Sequence, residues 1–99
     1  MPYIPKNRRE ALLQVATHTY APDMAAELAA RIVTAGELNF VITTLLLKWI
    51  QRSSGVSYTH LNTVIGCLEC VKMEMYRRAA APYEDAKAAE NGDVFDGLN

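Results

Sequence analysis

The stretch TAGELNFVITTLLLKWIQR, residues 34–52, reads as helix from end to end. Thr34 followed three residues later by Glu37 is a capping box: the hydroxyl accepts the Glu37 amide, and the carboxylate reaches back to the cap. The spacing therefore predicts a helix from near Ala35 to near Arg52. At about 100° per residue, Leu38, Val41, Ile42, Leu45, Leu46 and Trp49 gather on one side. Phe40 and Leu47 fall on the opposite side. A helix with apolar residues on two sides is either central or shared with a partner.

Working outward from it, RSSGVS is a turn, and Ser57 can cap a fourth helix. Leu61, Val64, Leu68, Val71 and Met75 form that helix's main apolar stripe, with Gly66, Cys70 and Met73 as a smaller one. Pro82 should break or kink it, because a proline lacks the amide donor and its ring crowds the preceding turn. PYEDAKAAE can add two turns, Asn91-Gly92 is the stop signal, and residues 94–99 read as a flexible tail. Toward the N-terminus, Pro22 suits the first turn of a second helix, with Met24, Leu28 and Ile32 on one face. Asn7 with Glu10 suggests a capping box starting a first helix to about Thr19. The prolines at 2 and 5 make residues 1–6 an extended arm.

The whole is an all-α chain of 99 residues with fourteen alanines and no sustained period-two alternation. It reads as one domain, a small bundle of four main helices with a Pro-kinked C-terminal helix. The apolar share is 51%, globular rather than disordered. So short a chain buries little surface, and apolar residues on two helix sides point to a homo-oligomer. A net charge of −1 argues against general nucleic-acid binding. The charge is uneven: residues 1–81 hold nine Lys/Arg against six acids, and residues 82–99 one Lys against five acids. No apolar run reaches membrane-span length, and no leader-like apolar stretch follows the start. The expected setting is cytoplasmic, with both cysteines reduced.

Cys67-x-x-Cys70 with His18 and His60 has the inventory of a zinc site, but the cysteines lie inside a helical pattern rather than on a tight turn. They read instead as small buried residues easing helix contact. No strand–turn–helix elbow presents a nucleophile. Glu69, Glu74 and Glu90-Asn91-Gly92-Asp93 echo part of the carboxylate pattern of magnesium-dependent nucleotide pyrophosphohydrolases, without the doubled ExxE half. Glu74 is also spaced to pair with Arg77 or Arg78. Arginines and aromatics remain, near both ends of the chain. If the first and fourth helices pack antiparallel, Tyr3, Lys6, Arg8 and Arg9 meet Lys72, Tyr76, Arg77, Arg78 and Tyr83 in one pocket. Its cations suit phosphate and its rings suit a base, with Asn39 or Glu69 reading a base edge. The plainer reading latches the arm onto Glu84 and Asp85.

At YIPKNRRE, TAGELNFVIT and GCLECVKMEMYRRAAAPYEDAKAAENGDVF the chain resembles a family of small uncharacterised helical proteins from tailed phages and bacteria. The resemblance implies a phage or prophage accessory protein in an infected or lysogenic cell, and it carries no activity. The expectation is a non-enzymatic protein that sequesters an anionic small ligand, a nucleotide or cyclic nucleotide, and so counters host defence. The alternatives are an interaction module acting on a host protein or as an oligomeric adaptor, and a magnesium-dependent pyrophosphohydrolase-like enzyme. No cofactor, catalytic residue or metal ligand is expected.

Overall fold

The computed structural model describes residues 2–14, 23–52 and 55–98. These form four helices and no strand. Helix α1 spans Lys6–Leu13, α2 Met24–Arg31 and α3 Ala35–Gln51; the fourth runs without a break as α4, Tyr58–Met75, a π-helical segment, Tyr76–Ala80, and α5, Ala81–Asn91.

The expected capping box of α3 is made in full. Thr34 Oγ1 accepts from the Glu37 amide at 3.1 Å. Glu37 Oε1 accepts from the amides of Thr34 at 3.2 Å and Val33 at 2.7 Å. Ser57 likewise caps α4, its Oγ accepting from the His60 amide at 3.1 Å. At the other end Gly92 takes φ +96°, which only glycine adopts readily, and its amide donates to the Ala88 carbonyl, so α5 stops after Asn91.

Two starts differ from expectation. Asn7 does not cap α1; the helix begins at Lys6, and the Pro5 carbonyl accepts from both the Arg8 and Arg9 amides at 3.0 Å. Pro5 already holds the extended entry geometry, so the turn closes two residues before the expected cap. Residue 6 thus belongs to the helix rather than to the arm. Gln14 is extended and ends α1 at Leu13, short of Thr19, which lies outside the described residues together with Pro22. Helix α2 is capped instead by Asp23, whose carboxylate accepts from the Ala26 amide at 2.8 Å. Glu27 in its first turn and Arg31 in its last both suit the helix dipole. Ile32 is its C-cap rather than a member of its face.

Pro82 does not stop the helix. It sits at the start of α5, just past the π segment, where the Ala81 amide donates to the carbonyl of Tyr76, five residues back instead of four. The wider turn lets the chain absorb a residue that gives no amide and crowds the turn before it.

The chain divides into two compact units, Pro2–Asn62 and Thr63–Asn99, with the boundary inside α4. Among the described residues only Ile50, in the first, and Val64, in the second, are buried. In the first unit, Leu45 and Phe40, from opposite sides of α3, are 65% and 69% exposed. In the second, Ile65, Val71, Met73 and Met75 are exposed along α4. No described helix is long and apolar enough to cross a membrane.

Candidate functional site

The second unit carries a shallow groove of about 560 Å³ around its π segment. Met75, Tyr76, Ala79, Ala80 and Tyr83 line it, together with the charged Lys72 and Glu84. Tyr76 opens the π segment and Tyr83 lies in α5, and both line the groove. The two alanines between them have no side chain beyond Cβ, which leaves a notch between two aromatic walls.

Tyr76 Oη donates to Glu84 Oε2 at 3.2 Å, linking α5 back to the π segment. The Glu84 charge, then this hydrogen bond, a little burial and the charge of Asp85 hold the Tyr76 hydroxyl above its ordinary pKa of 10.0. Lys87 lies over the Tyr83 ring, 5.8 Å from its centroid. Lys72 pairs with Glu69 at 2.8 Å, Arg77 with Glu74 at 3.0 Å and Lys87 with Glu90 at 3.4 Å. All three are i,i+3 pairs along one helix.

The structure therefore brings together Lys72, Tyr76 and Tyr83 on one face, with Glu69 beside Lys72. Arg77 is turned to Glu74, as the spacing of those two residues suggests. Tyr3, Lys6, Arg8, Arg9 and Asn39 belong to the other unit. There Asn39 Oδ1 accepts from Thr43 Oγ1 at 3.3 Å, and the three basic residues stand exposed on α1. Ala79, Ala80 and Glu84 were not singled out as site residues by sequence; the signal was available in the Tyr-x6-Tyr spacing with alanines between.

Cys67 is exposed and Cys70 half-buried, both as free thiols, so the reading of two buried helix-contact residues fails for Cys67. Among the described residues no three His, Cys, Asp or Glu side chains come together as a metal site; His18 lies outside them.

A second cluster, in the first unit, was not legible in the sequence. Trp49 meets His60 edge to face, with centroids 6.0 Å apart, and the Arg52 guanidinium lies 4.8 Å from the Trp49 ring centroid. His60 Nδ1 is 3.0 Å from the Gly55 carbonyl oxygen, which places the ring proton on that nitrogen. These contacts join α3 to the first turn of α4 and that turn to Gly55.

Fold and groove together define a small all-helical protein with a notched C-terminal helix. The chain belongs to the family described as a domain of unknown function (DUF6899), which it matches over residues 1–94. Set against curated proteins and against solved structures, the chain matches none.

Proposed function

We propose that the protein is a non-catalytic association module that works as a homo-oligomer, presenting α3 and the long C-terminal helix as contact surfaces. The observation that carries this reading is the outward placement of its large apolar side chains: Phe40, Leu45, Ile65, Met75 and Tyr83 are each more than 60% exposed. Covering such a side chain contributes about 1.5–3 kcal/mol. Half a dozen supply on the order of 10 kcal/mol, comparable with the ~4–15 kcal/mol that association costs. Light scattering on the purified protein at micromolar concentration tests it. The expected species is a dimer or larger; a uniform 11.0 kDa monomer overturns the reading.

A different observation favours a second reading, in which the groove holds an anionic ligand. Lys72, Tyr76 and Tyr83 share one face, so a planar base could stack on tyrosine with its phosphate toward Lys72. Such a protein would sequester a nucleotide without turnover. In the phage setting that the sequence resemblance implies, this would remove a host signal, whereas the first reading suits a host-protein partner or an adaptor. A thermal-shift screen with mono-, di- and cyclic nucleotides decides: ligand at 100 times its Kd stabilises by about 2.7 kcal/mol, and a flat screen removes the second reading. The magnesium-dependent enzyme has less support, because Glu69, Glu74 and Glu90 are each already paired with a cation on the same helix. Nucleotide loss on incubation with Mg²⁺ would reverse that judgement.

A further inference from the structure

Cys67 and Cys70 take no part in the groove or in the contacts at Trp49. Both are free thiols on α4, Cys67 exposed and Cys70 half-buried. In an α-helix, residues i and i+3 share a face, with Cβ atoms about 5–6 Å apart. Because α4 is regular from Tyr58 to Met75, that spacing holds at 67 and 70. Gly66 stands one turn before Cys70 on the same row, and the space where its Cβ would be is open. The approach to the pair is therefore clear on the Gly66 side. Thr63 and Glu74, the next residues along the rows, carry only oxygen donors, and Arg77 holds the Glu74 carboxylate at 3.0 Å. Among the described residues no third His, Cys, Asp or Glu side chain joins the two thiols.

We propose that Cys67 and Cys70 form a two-thiolate chelate for a soft univalent cation of the cuprous type. Three features select this ligand. First, a disulfide needs Cβ atoms about 3.5–4.5 Å apart, closer than i,i+3 neighbours come on an unbroken helix. While α4 stays intact, the pair is held as two thiols. Second, a cation in line between two sulfurs sets them about 4.6 Å apart, twice a metal–thiolate bond of ~2.3 Å. Side chains whose Cβ atoms stand about 5–6 Å apart reach that span by turning between ordinary rotamers. Third, thiolates are soft donors that select cuprous ion, whereas magnesium and calcium take oxygen. A structural zinc site wants four ligands in a tetrahedron, and only two are gathered here. On binding, the two thiols release their protons as two metal–sulfur bonds form, and the ion keeps its oxidation state. The site uses one helix of one chain, so it is independent of self-association.

Titration of the reduced full-length chain with cuprous ion under nitrogen, in competition with a coloured cuprous chelator, tests it. Native mass spectrometry should count one ion per chain. Cys67→Ser and Cys70→Ser should each lower the affinity about a hundredfold or more, since a second ligand tethered on the same helix multiplies affinity by about 10²–10⁴. Cys70→Ser combined with Glu69→Cys keeps two thiols but carries one about 200° round the helix from Cys67. That variant should bind no better than Cys70→Ser alone. Zinc ion, titrated in parallel, should bind more weakly than cuprous ion. Circular dichroism confirms that each variant keeps its helix. A chain that takes up no cuprous ion, or a single serine variant that keeps the original affinity, overturns the site. So does a relocated thiol that restores binding, because any two thiols would then serve. One ion shared between two chains, or zinc bound as tightly as cuprous ion, overturns it as well, since either needs ligands from beyond this pair.

Discussion

Glu37 has the best-defined environment of any acid in the chain. Its carboxylate accepts two amides, those of Val33 first and Thr34 second, and they hold its pKa below the ordinary 4.5. A depressed folded-state pKa adds stability that is present above the unfolded value and is lost as pH falls through the folded one. Acid should therefore loosen the start of α3, and Glu37→Gln, which keeps an accepting oxygen without the charge, should flatten that part of the pH response. Thermal melts by circular dichroism between pH 6 and pH 3 would read it; equal acid sensitivity in both proteins would count against the capping charge. Thr34→Ala, which removes the other half of the box, should cost about 1 kcal/mol at neutral pH. Tyr76 behaves with the opposite sign. Its raised pKa means that its link to Glu84 stabilises below pH 10 and weakens as pH rises above it. These residue-scale features were legible where both partners lie within four positions of each other, as in the Thr34–Glu37 box and at Ser57. The Trp49–His60 contact was not, because it depends on how the turn folds two helices together.

At the scale of the element, Pro82 is the informative case. A proline in a helix interior removes one hydrogen bond and crowds the carbonyl four residues earlier, which reads from sequence as a break. The chain answers with a π segment, shifting its hydrogen bonds by one residue so that the helix runs on to Asn91. Sequence reasoning located the disturbance and missed the response, since a proline leaves break, kink and π turn all open. Pro82→Ala supplies the absent donor. It should tighten Tyr76–Ala80 toward ordinary α geometry and slow amide exchange across those residues. Unchanged exchange there would mean that the alanine run, not the proline, sets the π turn. The start of α1 teaches a related lesson. Asn7 and Glu10 had the right spacing for a box, but Pro5 had already fixed the entry. A rigid residue nearby prevails over a favourable side chain.

For the whole molecule, the sequence foretold helices throughout and apolar residues on two sides of α3, because both follow from periodicity alone. It could not place the arm residues 3–9 against residues 72–83, since that depends on contacts between distant parts of the chain. The two sides of α3 carry the final prediction. Phe40 and Leu47 point away from Leu45 and Trp49, and all four remain at least a third exposed. Among the described residues nothing fully covers either side of α3, so on the association reading part of the stability should come from association and grow with concentration. For a dimer that unfolds as it dissociates, a tenfold rise in concentration adds about 1.4 kcal/mol per dimer and lifts Tm by a few degrees. Phe40→Ser with Leu47→Ser removes apolar area from a face the isolated chain leaves open. It should therefore lower Tm at high concentration and weaken its concentration dependence, while changing little in a dilute monomer. A Tm for the unmodified chain that stays constant over a hundredfold range of concentration, with the double variant melting alongside it, would show that this face meets only water.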